Sequence, residues 1–168
     1  RDAWVARVVP PLSYYRFRVH LNGRTLDIAD PWSTHVVRRR SPGHPAWSVC
    51  AKRPPFQWRD DAGVSLHPDD AVIYEAHVAD ITAHPSAGCR YPGTFAGMAE
   101  THPAAVGGLP HIMRLGVNAV QLLPVAAWPV METASRTNHW GYMPSFFRAA
   151  CDGLSLAYRV ADDDGWVG

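Results

Sequence analysis

The chain has 168 residues, of which 47% are apolar and 18% charged, a length and balance that exclude a disordered polymer and fit one globular domain. Its formal net charge is +1, so no long-range field draws it to nucleic acid or to an acidic membrane surface. Three widely spaced cysteines, Cys50, Cys89 and Cys151, include no CxxC pair; they suggest neither a zinc knuckle nor a disulfide framework and favour a reducing compartment, read here as the cytoplasm.

The chain opens on Arg1 rather than methionine, so its natural start is expected upstream. It carries no signal-peptide pattern and no apolar run near the ~20 residues of a membrane span. The first zone, residues 1–40, ends in β-structure. Tyr14 to Leu21 alternates aromatic or apolar residues with basic ones, as a half-buried strand does. Asn22-Gly23 is a hairpin turn signal, Thr25 to Ile28 is the return strand, and Asp30-Pro31 closes the unit. The basic run Arg38 to Arg40 reads as a solvated stretch of loop. Residues 41–70 are rich in Pro, Gly and Trp without periodicity and form a connection. Its aromatics, Trp47, Phe56 and Trp58, could stack on sugar, but buried anchoring is the commoner use.

The third zone spans residues 71–168. Ala71 to Val78 is a continuous β-branched apolar run, the pattern of a buried parallel strand. A Gly- and Pro-rich loop from Pro85 to Gly97 follows. Val106, Leu109, Ile112 and Met113 then predict a helix within Ala104–Leu115, with Pro110 counting against its first half and Gly116 as its stop. Val117 to Val125 is a second buried strand, and strand, helix and strand make a βαβ unit of an α/β fold. A long loop containing Asn138 to Pro144 comes next, and the tail from Cys151 shows no third strand. Asp162, Asp163 and Asp164 read as a solvated acidic run rather than a metal site.

Four segments of this zone carry a resemblance. Val72-Ile73-Tyr74-Glu75-Ala76-His77-Val78 is the first. His84-Pro85-Ser86-Ala87-Gly88 through Tyr91-Pro92-Gly93-Thr94-Phe95-Ala96-Gly97 is the second. Leu115-Gly116-Val117-Asn118-Ala119-Val120-Gln121-Leu122-Leu123-Pro124-Val125 is the third, and Asn138-His139-Trp140-Gly141-Tyr142-Met143 the fourth. In this order they resemble glycoside hydrolase family 13, the α-amylase superfamily, and within it the isoamylase and pullulanase type of debranching enzyme. Tyr14 to Pro31 is similar, more weakly, to the last strands of the β-sandwich carbohydrate module that precedes the barrel in such enzymes.

The resemblance implies a partial (β/α)₈ TIM barrel, its first two strands, preceded by the end of a β-sandwich module. A full barrel of this kind takes ~250 residues. It implies an α-glucan partner, such as glycogen, amylopectin or limit dextrin, and neither metal nor cofactor. The parent would cleave α-1,6 branches with retention, using two carboxyl groups roughly 5 Å apart. Relatives carry these groups on later strands, and the Asp-x-x-x-Asn-His signature is absent here. The chain alone is therefore expected to hold no catalytic residue and to be inactive, with Glu75, Asp80, Glu100 and Glu132 in surface or hydrogen-bonded roles. Tyr142 matches a tyrosine that stacks on the sugar beside the cleaved bond, and Asn138 and Trp140, which shape its loop, are the other candidate substrate-binding residues. His77 and His139, without a partner at ligand spacing, are structural. After Phe146-Phe147 the sequence departs from the family pattern. A branching enzyme, a trehalose-releasing hydrolase or a non-catalytic glucan-binding protein are the alternatives, and Met143 after Tyr142 favours the isoamylases.

Overall fold

A computed structural model describes residues 14–39, 46–50, 55–59, 61–128, 140–154 and 166–167. The described residues form small sheets of both parallel and antiparallel strands, with helices of one or two turns.

Strands β1 (Tyr14–Tyr15), β2 (Phe17–Leu21) and β3 (Arg24–Ile28) open the chain. β2 and β3 are a tight hairpin whose register runs from Phe17 opposite Ile28 to Leu21 opposite Arg24. Asn22 and Gly23 both have positive φ, 49° and 73°, the backbone that matches the twist of the flanking strands in a two-residue turn. Two directly opposed pairs reinforce the register. The Arg18 guanidinium donates to both carboxylate oxygens of Asp27 at 2.8 and 2.9 Å, and His20 Nδ1 meets Thr25 Oγ1 at 2.9 Å. The hairpin is less buried than its alternation predicts, since Phe17, Leu21, Leu26 and Ile28 are all exposed.

β4 (Val36–Arg39) and β5 (Trp47–Val49) build a separate antiparallel sheet in the order β1, β5, β4, β10, where β10 is Trp166–Val167. Two expectations change here. The connection 41–70 contributes a central strand, because Ser48 is fully buried and its hydroxyl accepts a hydrogen bond from the Asp30 amide at 2.7 Å. Arg38 and Arg39 lie on a strand rather than a loop, carried there by the buried Val36 and Val37 that precede them; Arg40 lies outside the described residues. Trp47 is half-buried, with the Arg16 guanidinium 3.8 Å from its ring centroid. Phe56 and Trp58 are not buried anchors: they pack edge-to-face at 4.8 Å while remaining 73% and 66% exposed.

β6 (Ile73–Ala76) and β7 (Ala119–Leu122) pair in parallel, Ile73 opposite Ala119 through Ala76 opposite Leu122. Asn118 joins their starts by accepting from the Val72 amide at 2.7 Å and donating to the Asp70 carbonyl at 2.8 Å. Between them run α1 (Asp80–Ala83), α2 (Phe95–Met98) and α3 (Gly108–Arg114). α3 begins later than the apolar spacing predicts, and Pro110 falls within its first turn, where a missing N–H costs no helical bond. Gly116, at φ 76°, follows its end.

A core of Ala76, Val78, Met98, Ile112, Trp128, Cys151 and Leu154 gathers at the C-terminal side of the two parallel strands. Their other apolar residues behave differently. Val72, Ile73, Val120 and Leu122 are exposed, where the continuous apolar run predicts burial. Two paired strands make a ribbon, and a run meant for burial on both faces stays wet wherever no further layer packs on it. A second core, Val36 with Ala127 and Ala149 against Phe146, ties β4 to the chain after β7.

Candidate functional site

The candidate segment lies just past the C-terminal ends of the parallel strands, where α/β folds place their sites. The Leu123 amide donates to the Ala76 carbonyl at 2.9 Å, and Pro124 follows. β8 (Ala126–Ala127) and β9 (Phe146–Ala150) then pair antiparallel and frame the excursion between them. Its return is fixed by the Ser145 amide on the Ala127 carbonyl at 2.9 Å, and further on by the Cys151 amide on the Val125 carbonyl at 2.8 Å.

Gly141 anchors the segment. It is buried, has φ 81°, and lies so close to its neighbours that a Cβ would stand 2.6 Å from the Pro124 carbonyl oxygen and 2.8 Å from Trp128 Cζ3. Trp128 itself is buried in the main core. A rigid indole therefore supports the backbone at Gly141, while the flanking Trp140 and Tyr142 are 54% and 50% exposed. Met143 continues the exposed surface with a positive φ of 70°. Trp140 and Tyr142 are thus held by one anchored turn; Asn138, His139 and Glu132 lie outside the described residues, as do Asp162, Asp163 and Asp164.

The remaining acids lie away from this segment in their contacts. Glu100 accepts hydrogen bonds from the Arg90 amide at 2.9 Å and the Tyr91 amide at 2.8 Å, and meets His102 Nε2 at 2.6 Å. The Arg90 amide does most to hold the Glu100 carboxyl below its ordinary value; desolvation opposes it next, and the Tyr91 amide and His102 add smaller lowering effects. Asp80 opens α1; its amide donates to His77 Nδ1 at 3.3 Å and its carboxylate lies 3.4 Å from that nitrogen. His77 is buried, so a capping role at the strand end fits its position. Glu75 is exposed on β6, opposite Gln121. Among the described residues no three His, Cys, Asp or Glu side chains gather as a metal site, and none of the helices is long and apolar enough to cross a membrane.

Sequence reasoning missed Trp128, whose only signal is an indole placed shortly after the second apolar run. It also missed the threonine ties beneath the Gly- and Pro-rich loop. Thr82 Oγ1 accepts from the Gly93 amide at 2.7 Å, and Thr94 Oγ1 donates to the Tyr91 carbonyl at 2.7 Å while accepting from the Gly97 amide at 3.0 Å.

No family model matches the sequence. Individual proteins do. The chloroplastic isoamylase SU1 of Zea mays is 34% identical over 128 residues, covering 68% of this chain and 15% of the maize protein. A glycogen debranching enzyme of Erwinia tasmaniensis is 36% identical over 112 residues, covering 64% of this chain and 16% of that protein. Among solved structures, a pullulanase from Paenibacillus barengoltzii complexed with maltotriose superposes with a TM-score of 0.69 at 30% identity, over 85% of this chain and 24% of its own. Pullulanase type I from Bacillus subtilis, complexed with maltose, gives a TM-score of 0.66 at 26% identity over 84% of this chain and 20% of its own. The chain thus spans less than a quarter of the length of each of these proteins. In sequence and fold the chain is thus similar to a segment of isoamylases, glycogen debranching enzymes and pullulanases.

Proposed function

We propose that this chain is the front part of an α-glucan debranching glycoside hydrolase, contributing a sugar-facing aromatic surface rather than the bond-breaking groups. Residues 1–40, together with β5 from within 41–70, close a β-sandwich module, and 71–168 open a (β/α)₈ barrel with β6 and β7 as its first two strands. The intact enzyme would hydrolyse α-1,6 branches of glycogen, amylopectin or limit dextrin by a retaining route, in which one carboxylate attacks the anomeric carbon and a second carboxylic acid protonates the leaving oxygen.

The observation that carries this reading is the Gly141 turn seated on Trp128, with Tyr142 half-exposed beside the strand ends. A flat phenol ring held by a rigid backbone covers the C–H face of a pyranose while its hydroxyl remains free to hydrogen-bond. Trp140 adds a second aromatic surface. Glu100 is occupied by amide partners, which supports not assigning it to catalysis. The wide spacing of Cys50, Cys89 and Cys151, with no CxxC pair, supports a reducing, cytoplasmic setting.

Two measurements on the purified chain test this reading. Reducing ends released from glycogen or pullulan should stay at background, and sustained release would overturn the assignment of catalysis to groups outside this chain. Maltotriose binding should weaken about 2- to 12-fold in Tyr142→Ala, the range of one lost aromatic stacking contact. Equal affinity in the variant would remove Tyr142 from the sugar site.

A further inference from the structure

We propose that Trp32 and Arg148 form a second glucan contact, separate from Tyr142, which receives an outer glucosyl unit of a long or branched α-glucan. This rests on the reading that the chain handles α-glucan.

Trp32 is 72% exposed, although an indole is among the side chains that gain most from burial. Its exposure is built into the turn that carries it, because Asp30 fixes that turn from several sides. The Asp30 carboxylate accepts from the Trp32 amide at 2.8 Å and from the Tyr15 hydroxyl at 2.8 Å. The Asp30 amide donates to Ser48 Oγ at 2.7 Å, and the Ser33 amide donates to the Asp30 carbonyl at 3.0 Å. Ser48 is fully buried, so these bonds run from the exposed turn into the sheet interior. A tryptophan on so fixed a backbone loses little freedom on binding, which is what a stacking platform needs.

Arg148 comes from β9, the strand that leads out of the Tyr142 segment, and its guanidinium carbon lies 5.7 Å from the Trp32 ring centroid. β4, which follows the Trp32 turn, and β9 share the core of Val36, Ala127 and Ala149, so the spacing of the pair is set by packing. An indole face for C–H contact beside a fork of N–H donors for hydroxyls suits a neutral sugar. The same pair could stack a nucleobase, but a net charge of +1 offers no field to gather a polyanion. Tyr142 would then hold one sugar and Trp32 another, so the second contact favours long chains over short ones.

The test compares the full chain with Trp32→Ala, Trp32→Phe, Arg148→Gln and Tyr142→Ala. Each is run on native gels containing glycogen and titrated with maltotriose, with circular dichroism to confirm folding. Trp32→Ala should weaken glycogen binding about 2- to 12-fold, with Trp32→Phe restoring part of the loss. Arg148→Gln should weaken it too, and neither the Trp32 nor the Arg148 variants should change maltotriose affinity. Unchanged glycogen retardation in Trp32→Ala, with Tyr142→Ala still impaired, overturns this inference and leaves the Tyr142 site standing. Retardation of a single-stranded oligonucleotide in preference to glycogen also overturns it. A wild-type chain that binds neither glycogen nor maltotriose overturns both.

Discussion

Replacing Gly141 by alanine probes the anchor beneath the candidate site. The substitution places a Cβ at a backbone with φ 81°, and a left-handed conformation costs an L-residue roughly 1–2 kcal/mol. That Cβ would also stand 2.6 Å from the Pro124 carbonyl oxygen and 2.8 and 2.9 Å from Trp128 Cζ3 and Cε3. The oxygen belongs to the backbone and the indole is buried, so neither moves without disturbing the core; overpacking of this kind costs about 1–3 kcal/mol. The smaller entropy of the unfolded alanine chain returns about 0.4–1 kcal/mol. The expected net loss is about 1–4.6 kcal/mol. Gly116→Ala is the matched control, because its φ is 76° but nothing lies within 4 Å of the added Cβ. Urea unfolding followed by tryptophan fluorescence should therefore show Gly141→Ala less stable than Gly116→Ala by about 1–3 kcal/mol at similar m-values. Losses equal to within about 0.5 kcal/mol would refute the docking of Gly141 on Trp128.

Glu100 predicts an acid-dependent loosening of the Gly- and Pro-rich loop. Its carboxyl is held below the ordinary 4.5 by the Arg90 amide first, so its contribution is complete above that ordinary value and is lost as pH falls through the lower, folded-state value. Protection of the Arg90 and Tyr91 amides, taken relative to their intrinsic exchange at each pH, should fall across that acidic window and be low at all pH values in Glu100→Gln; pH-independent protection in the wild type would contradict this. Asn118→Ala removes both hydrogen bonds joining the starts of β6 and β7. Because the site is exposed and water can replace them, the expected loss is about 1 kcal/mol by urea unfolding. Asn118→Asp keeps the acceptor for the Val72 amide and should recover part of that loss, and an unchanged midpoint in Asn118→Ala would show the junction to be held by other contacts.

The features legible in the sequence are those whose determinants are local. Asn22-Gly23 carries its own turn geometry, so the hairpin from Phe17 to Ile28 follows from it. The two parallel strands follow from uninterrupted β-branched runs, and Gly116 marks the helix end as its positive φ requires. Features set by partners distant in the chain were not legible. Trp47–Val49 is too short to display an alternation, and its place in the sheet depends on Tyr14, Tyr15, Val36 and Val37. The wet faces at Val72, Ile73, Val120 and Leu122 defeat a burial reading because apolarity records what a strand could pack against, not what is there. At the candidate site, Tyr142 and Trp140 stand out through the Asn138–Met143 segment that carries the family resemblance. The role of Trp128 depends on a backbone approach that only three-dimensional packing produces.

The small core of Val36, Ala127 and Ala149 also limits how such proteins can be recombined. Residues 41–70 look like a natural crossover point for exchanging the upstream strands between homologues. A chimera spliced there would import a new residue opposite Ala127 and Ala149, each only 2% exposed. A side chain larger than valine at that position would press on β8 and β9 and tilt the frame that carries Tyr142. A smaller one would leave a void there. Productive exchanges should therefore transfer Val36, Ala127 and Ala149 as one inherited set, even though they are far apart in the chain.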